Sequence, residues 1–299
     1  MKDCWKISLP VAKADADRIV QSENALRAFE PVPVVVVTEI SPERPNDYRL
    51  DVFVEDEPSA TLVAAVRTLA GVHAGENPLV ERLPDADWVT MSQAGLDPVH
   101  AGRFTVHVAA DRDQVPKENI GLQIEASRAF GTGHHATTAG CLRALSNVKE
   151  PPQNILDLGT GTGLLAIAAT KLFPAARVAA SDIDPVSIEV GRENLDVNAV
   201  REGDDAGSVK LVVADGLDDE NLARRAPYDL IFANILAGPL IDMSGSIAGV
   251  LAPGGSLILA GLLTDQAGDV LAAYEKAGLT PTDHDPNRGW PILVMTRIS

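Results

Sequence analysis

The chain has 299 residues, 45% of them hydrophobic and 22% charged, which suits two domains of about 150 residues with cores of their own and excludes a wholly disordered chain. A formal charge of −17 gives it no electrostatic attraction to the phosphates of DNA or RNA, so direct nucleic-acid binding is not expected. The acidity is spread along the chain, with 9 Lys and Arg against 17 Asp and Glu in the first hundred residues, and reads either as simple solubility or as a match for a basic partner.

Cys4 and Cys141 are too far apart in sequence to form a framework or a paired metal spacing, and read as free thiols of a reducing cytoplasm. The opening MKDCWKISLP has no apolar signal core, and no stretch approaches the roughly 18 apolar residues of a membrane span.

In chain order, Trp5 to Val11 reads as a strand and Ala14 to Phe29 as a helix with Ile19, Val20, Leu26 and Phe29 on its apolar face. PVPVVVVTEI and YRLDVFVED, separated by the turn-forming SPERPND, read as a hairpin. A helix follows from Ser59, its N-cap, to Leu69, and WVTMS supplies the next strand. The order βαββαβ predicts an α+β sandwich of ferredoxin-like kind over residues 1–96. Residues 97–128, with strand-like RFTVHVAA and IGLQIEA, read as a connecting segment, with His107 on a strand surface.

From Asn154 apolar strands and helices alternate: ILDLG, LLAIAATKLF, VAASDID, SIEVGRENLDVNA, VKLVVADG, YDLIFANIL, GSIAGVLA, GSLILAGLL, DVLAAYEKAGL and PILVMTR. That texture predicts a doubly wound, Rossmann-like parallel sheet with ligands at the carboxyl ends of its strands. Gly159, Gly161 and Gly163 follow the first of these strands and open a helix. Leu164 stands where a dinucleotide fingerprint needs its last glycine, so a pyrophosphate is not the favoured guest. The alternative is S-adenosylmethionine, whose carboxylate suits the N–H groups of a helix start. Asp157 stands ready to accept from its ammonium. Asp182, 23 residues after Gly159 at the end of the second strand, is placed to accept ribose hydroxyls. Asp215 ends the third strand, either near an adenine edge or as a cap, and the fourth strand delivers Asn234 to the same edge.

These motifs carry a resemblance. AFGTGHHATT at 129–138, ILDLGTGTGLLAIAA, SDIDP and ANILAGPL resemble the PrmA family of class I S-adenosylmethionine-dependent methyltransferases, which modify a protein of the large ribosomal subunit. The resemblance implies a catalytic domain over residues 129–299, cofactor contacts from Thr138, Gly159, Asp182 and Asn234, and an amino-terminal domain that grips a basic ribosomal protein. Residues 124–128, IEASR, and Ala136 depart from the family's usual pattern. Gly131 and Gly133 give the 129–135 stretch the freedom of a lid. His134 and His135 have no acid or cysteine pair beside them to complete a metal site, and no metal is expected. Asn234 is the candidate catalytic residue, a neutral acceptor that orients an amine without favouring ammonium. No dedicated general base is expected.

Overall fold

The computed structural model describes residues 4–21, 26, 29, 33–39, 47–54, 56–71, 77–83, 98–124 and 136–298. The chain divides into two compact units, Met1–Ala94 and Gly95–Ser299.

In the first unit β1 (Cys4–Ala12), α1 (Lys13–Gln21), β2 (Val34–Glu39), β3 (Asp47–Val54), α2 (Ala60–Leu69) and β4 (Leu79–Leu83) follow one another. The four strands form an antiparallel sheet ordered β2-β3-β1-β4, the ferredoxin-like arrangement expected. Strand alternation sends Ile7, Leu9, Val11, Leu50 and Val52 to one face, where they pack with Ala16, Ile19, Leu62 and Val66 of the two helices. Ser59 caps α2 as expected, its hydroxyl accepting from the N–H of Leu62 at 3.1 Å. The last described strand is LVERL rather than WVTMS, which lies outside the described residues. Glu81 and Arg82 break its apolar run, as an edge strand paired, among the described residues, only to β1 allows.

The second unit begins with β5 (Val99–Ala101), β6 (Phe104–His107) and β7 (Ile120–Gln123), a three-stranded sheet with β6 in the middle. The stretch 97–128, read as a connection, thus contributes Phe104, Val106 and Leu122 to a core shared with Leu142, Leu145 and Leu165. His107 is not on a strand surface. It is 5% exposed, with Nδ1 2.8 Å from the Val108 carbonyl, because all four β6 residues are covered.

There follow α3 (Ala136–Ser146), β8 (Asn154–Leu158), α4 (Leu164–Leu172), β9 (Arg177–Asp182), α5 (Pro185–Val197), β10 (Arg201–Glu202), β11 (Ser208–Val213), α6 (Glu220–Arg225) and β12 (Tyr228–Asn234). The chain closes with α7 (Ala237–Asp242), α8 (Ser244–Val250), β13 (Leu251–Ala260), α9 (Ala267–Lys276), β14 (Leu279–Asp285) and β15 (Ile292–Arg297). The eight strands order as β10-β11-β9-β8-β12-β13-β15-β14. The first six are parallel, as the apolar alternation predicts, and β15 runs antiparallel to both neighbours. Ile155, Val178, Leu230 and Ile258 face one layer of helices; Leu156, Ile231, Leu257 and Leu259 face the other. Among the described residues no helix is long and apolar enough to cross a membrane.

Strand order turns back at β8, which lies between β9 and β12, and the crevice at such a reversal is where open α/β sheets bind ligands. The turn leaving β8 brings the start of α4 very close to α5. Gly163 has a φ of 78°, and a Cβ there would lie 3.3 Å from the Cα of Gly191. Gly163→Ala is therefore expected to lose about 1–3 kcal/mol of stability, the scale for a non-glycine residue held in this conformation. Urea unfolding checks it, and wild-type stability in the variant would contradict the close approach.

Candidate active site at the carboxyl edge of the sheet

The turn after β8 is built on three left-handed glycines, Gly159, Gly161 and Gly163, with φ of 71°, 55° and 78°. It is laced to the neighbouring strand: the N–H groups of Gly159 and Thr160 both donate to the Ser181 carbonyl, at 2.8 and 2.9 Å. Part of the need for glycine comes from the protein itself. A Cβ on Gly159 would lie 2.3 Å from Cγ2 of Ile235, the residue after Asn234, and a Cβ on Gly261, just past β13, would lie 2.4 Å from the Ile235 carbonyl. Ile235 is thereby wedged between two glycines at the ends of β8 and β13.

Asp182, half-buried at the end of β9, accepts from the Gly161 N–H through Oδ2 at 2.9 Å and from the Asp184 N–H through Oδ1 at 3.0 Å. A carboxylate offers about four acceptor directions, so this one keeps capacity for two further donors. Asn234 and Thr138, assigned to one site by the family resemblance, lie together: Asn234 Nδ2 is 3.4 Å from the hydroxyl of Thr138, which is buried near the start of α3. Asp215 is exposed and caps no helix. Asp184 caps α5 and Asp219 caps α6. Residues 129–135, including His134 and His135, lie outside the described residues.

Sequence reasoning passed over an apolar rim. Ile183, Val213, Leu236 and Leu263 are exposed by 65%, 50%, 73% and 42%, and each stands at or just past the carboxyl end of a strand, β9, β11, β12 and β13 respectively. The available signals were the place of Ile183 directly after the strand-ending Asp182 and of Leu236 two residues after the strand-ending Asn234.

Comparison with known proteins gives the same picture. The family model described as ribosomal protein L11 methyltransferase (PrmA) matches residues 11–298. A ribosomal protein L11 methyltransferase of Brucella abortus (strain S19) is 42% identical over 288 residues, covering 95% of this chain and 96% of that protein. One from Bradyrhizobium diazoefficiens is 44% identical over 261 residues, covering 86% of each. Among solved structures, the ribosomal protein L11 methylase of Lactobacillus delbrueckii subsp. bulgaricus superposes with a TM-score of 0.61 at 26% identity, covering 68% of this chain and all of that one.

In the structure Asp157 is bound to the turn. It is 1% exposed, and its Oδ2 accepts from the Thr160 hydroxyl at 2.6 Å and the Ala166 N–H at 3.1 Å, closing the turn and the first turn of α4 with one oxygen. Burial raises its pKa from 3.8 to about 6, against the lowering effect of those two donors and with a further upward push from Asp182. The folded protein therefore holds this proton more tightly than the unfolded chain. The resulting stability is complete below about pH 3.8 and is lost as pH rises through about 6. Asp157→Asn carries no charge at any pH, so its melting temperature relative to wild type is expected to climb between pH 4 and pH 7. A difference that stays flat across that range would mean Asp157 does not titrate there.

Proposed function

We propose, since the chain belongs to the ribosomal protein L11 methyltransferase (PrmA) family, that it transfers methyl groups from S-adenosylmethionine to lysine side chains, and α-amino groups, of ribosomal protein L11 of the large subunit. The observation that carries this reading is the edge where the glycine turn, Asp182 and the Asn234–Thr138 pair meet at the reversal of strand order. The residues present suit the cofactor. Two unused acceptor directions on Asp182 match two ribose hydroxyls. Ile183 and Val213 supply an apolar face for a purine, and the amino-terminal end of α4 favours a carboxylate. When bound, the cofactor supplies a methyl group activated by a sulfonium, and the protein's task is to position and desolvate the acceptor.

In this reading Asp182 holds the ribose, Gly159 and Gly161 keep side chains out of its way, and Thr138 orients Asn234. Asp157 acts indirectly, by fixing the turn. A lysine must be neutral to attack, and neutralising it at pH 7 costs about 4–5 kcal/mol from a pKa near 10.4. A carboxylate beside the amine would add to that cost, whereas the neutral amide of Asn234 directs a lone pair without it. Leu236 and Leu263 offer apolar surface to the lysine's methylene stem. Residues 129–299 act as the catalytic domain, and the acidic residues 1–96 as the grip on a basic substrate in the cytoplasm, the only compartment this reading requires.

The direct test incubates the protein with methyl-labelled S-adenosylmethionine and purified L11, with ribosomal RNA as the competing acceptor. Label on L11 lysines is expected, and label on RNA alone, or none, would sink the proposal. Asp182→Asn is expected to weaken S-adenosylmethionine binding about tenfold or more by calorimetry, the scale of one charge-assisted hydrogen bond. The KM for L11 is expected to rise with ionic strength, and a KM indifferent to salt would remove electrostatic capture from the account.

A further inference from the structure

The helix that carries Thr138 is gripped from outside by a residue in the turn before the last strand. Asn287 has a φ of 38°, a left-handed backbone that asparagine tolerates better than most residues. Its side-chain amide is fully used. Nδ2 donates to the Ala136 carbonyl at 2.8 Å and to the Trp290 carbonyl at 3.0 Å, and Oδ1 accepts from Arg143, whose guanidinium also lies 3.6 Å from Asp285. Ala136, Gly140 and Arg143 are spaced i, i+4 and i+7, so all three share one face of α3.

Gly140 completes the contact. A Cβ there would lie 2.5 Å from Ile292 and 3.1 Å from Nδ2 of Asn287. Glycine weakens a helix interior, so its presence at this point is explained by the closeness of the turn. The left-handed backbone alone would be met by glycine at 287. What asparagine adds is the grip on the first turn of α3, two residues before Thr138, whose hydroxyl faces Asn234 at 3.4 Å.

We propose that Asn287 is a positioning residue of the methyl-transfer site: it docks the first turn of α3 so that Thr138 meets Asn234. The proposal rests on the reading of Thr138 and Asn234 as site residues. Asn287 itself acts only through the helix.

Two substitutions separate its parts. Asn287→Gly keeps the left-handed backbone and removes the grip. Asn287→Asp keeps the size and the partner for Arg143 but cannot donate to the Ala136 and Trp290 carbonyls. Each full-length variant is titrated with S-adenosylmethionine by calorimetry and melted without ligand, with Gly140→Ala pressing on the same contact from the helix side. The expected result is a dissociation constant weakened about tenfold in all three, roughly the worth of one well-made hydrogen bond, with ligand-free melting of the Asn287 variants close to wild type. Wild-type affinity in folded Asn287 variants, whether or not their melting temperature falls, overturns the proposal, and if one of them does not fold the other carries the test. Should the wild-type protein itself give no heat with S-adenosylmethionine, the functional reading fails first and leaves Asn287 nothing to position.

Discussion

The geometry of the site depends on one backbone turn that two carboxylates hold from different sides. Asp157 reaches up from β8 to Thr160 and Ala166, and Asp182 reaches across from β9 to Gly161. Between them they fix both ends of a segment in which three glycines adopt conformations closed to most residues. A carboxylate bonded to backbone N–H groups is pre-oriented, so whatever it accepts later meets a group that has already lost its freedom. The turn is thus both the packing joint between β8, α4 and α5 and the floor of the candidate site.

A buried polar ladder extends that joint to the small sheet of β5 to β7. Asn194 donates to the Thr162 carbonyl within the turn at 2.8 Å, and one helical turn later Asn198 pairs with the backbone of Gln123 through both its amide atoms, at 2.7 and 3.0 Å. Lys171 adds bonds to Asn198 Oδ1 and to the Gly121 carbonyl, and burial, with Arg112 nearby, lowers its pKa. The partners given to this lysine are neutral oxygens, which satisfy its donors without a buried ion pair. Residues 98–124 are consequently part of the second unit's framework, bound to the helix that opens the turn, a role that their short strand patterns did not announce.

What the sequence made legible follows from period and from backbone exceptions. The parallel strands are continuous apolar runs because both faces of the sheet are covered, and the glycine turn is visible because few residues other than glycine adopt its left-handed dihedrals. The ferredoxin-like order was legible in β1 and β3 from the alternation that sends Ile7, Leu9, Val11, Leu50 and Val52 to one core. The failures are edge elements. β4 contains Glu81 and Arg82, and β14, LTPTDHD, has a proline where its register shifts and six of seven residues exposed. An edge strand takes its stability from ladder bonds that composition does not record. The pairing of Thr138 with Asn234, 96 residues apart, was reachable only through the family resemblance, because spacing carries no information on contacts made across a sheet.

The charge of the protein and the chemistry proposed for it pull in opposite directions. An acidic surface draws a basic substrate in, yet every carboxylate near the acceptor stabilises ammonium and disfavours attack. In the proposed reading different groups meet the two demands. At the carboxyl edge Asp157 is sealed inside the turn with a raised pKa, and Asp182 spends acceptor capacity on two N–H groups. The residues that follow Asn234 and close β13 are Ile235, Leu236 and Leu263, none of which carries charge. Long-range attraction falls off over a Debye length of about 8 Å and needs only the surface, whereas amine deprotonation is decided by the few groups in contact. An asparagine where an aspartate would serve equally well as a hydrogen-bond acceptor is what that division of labour requires.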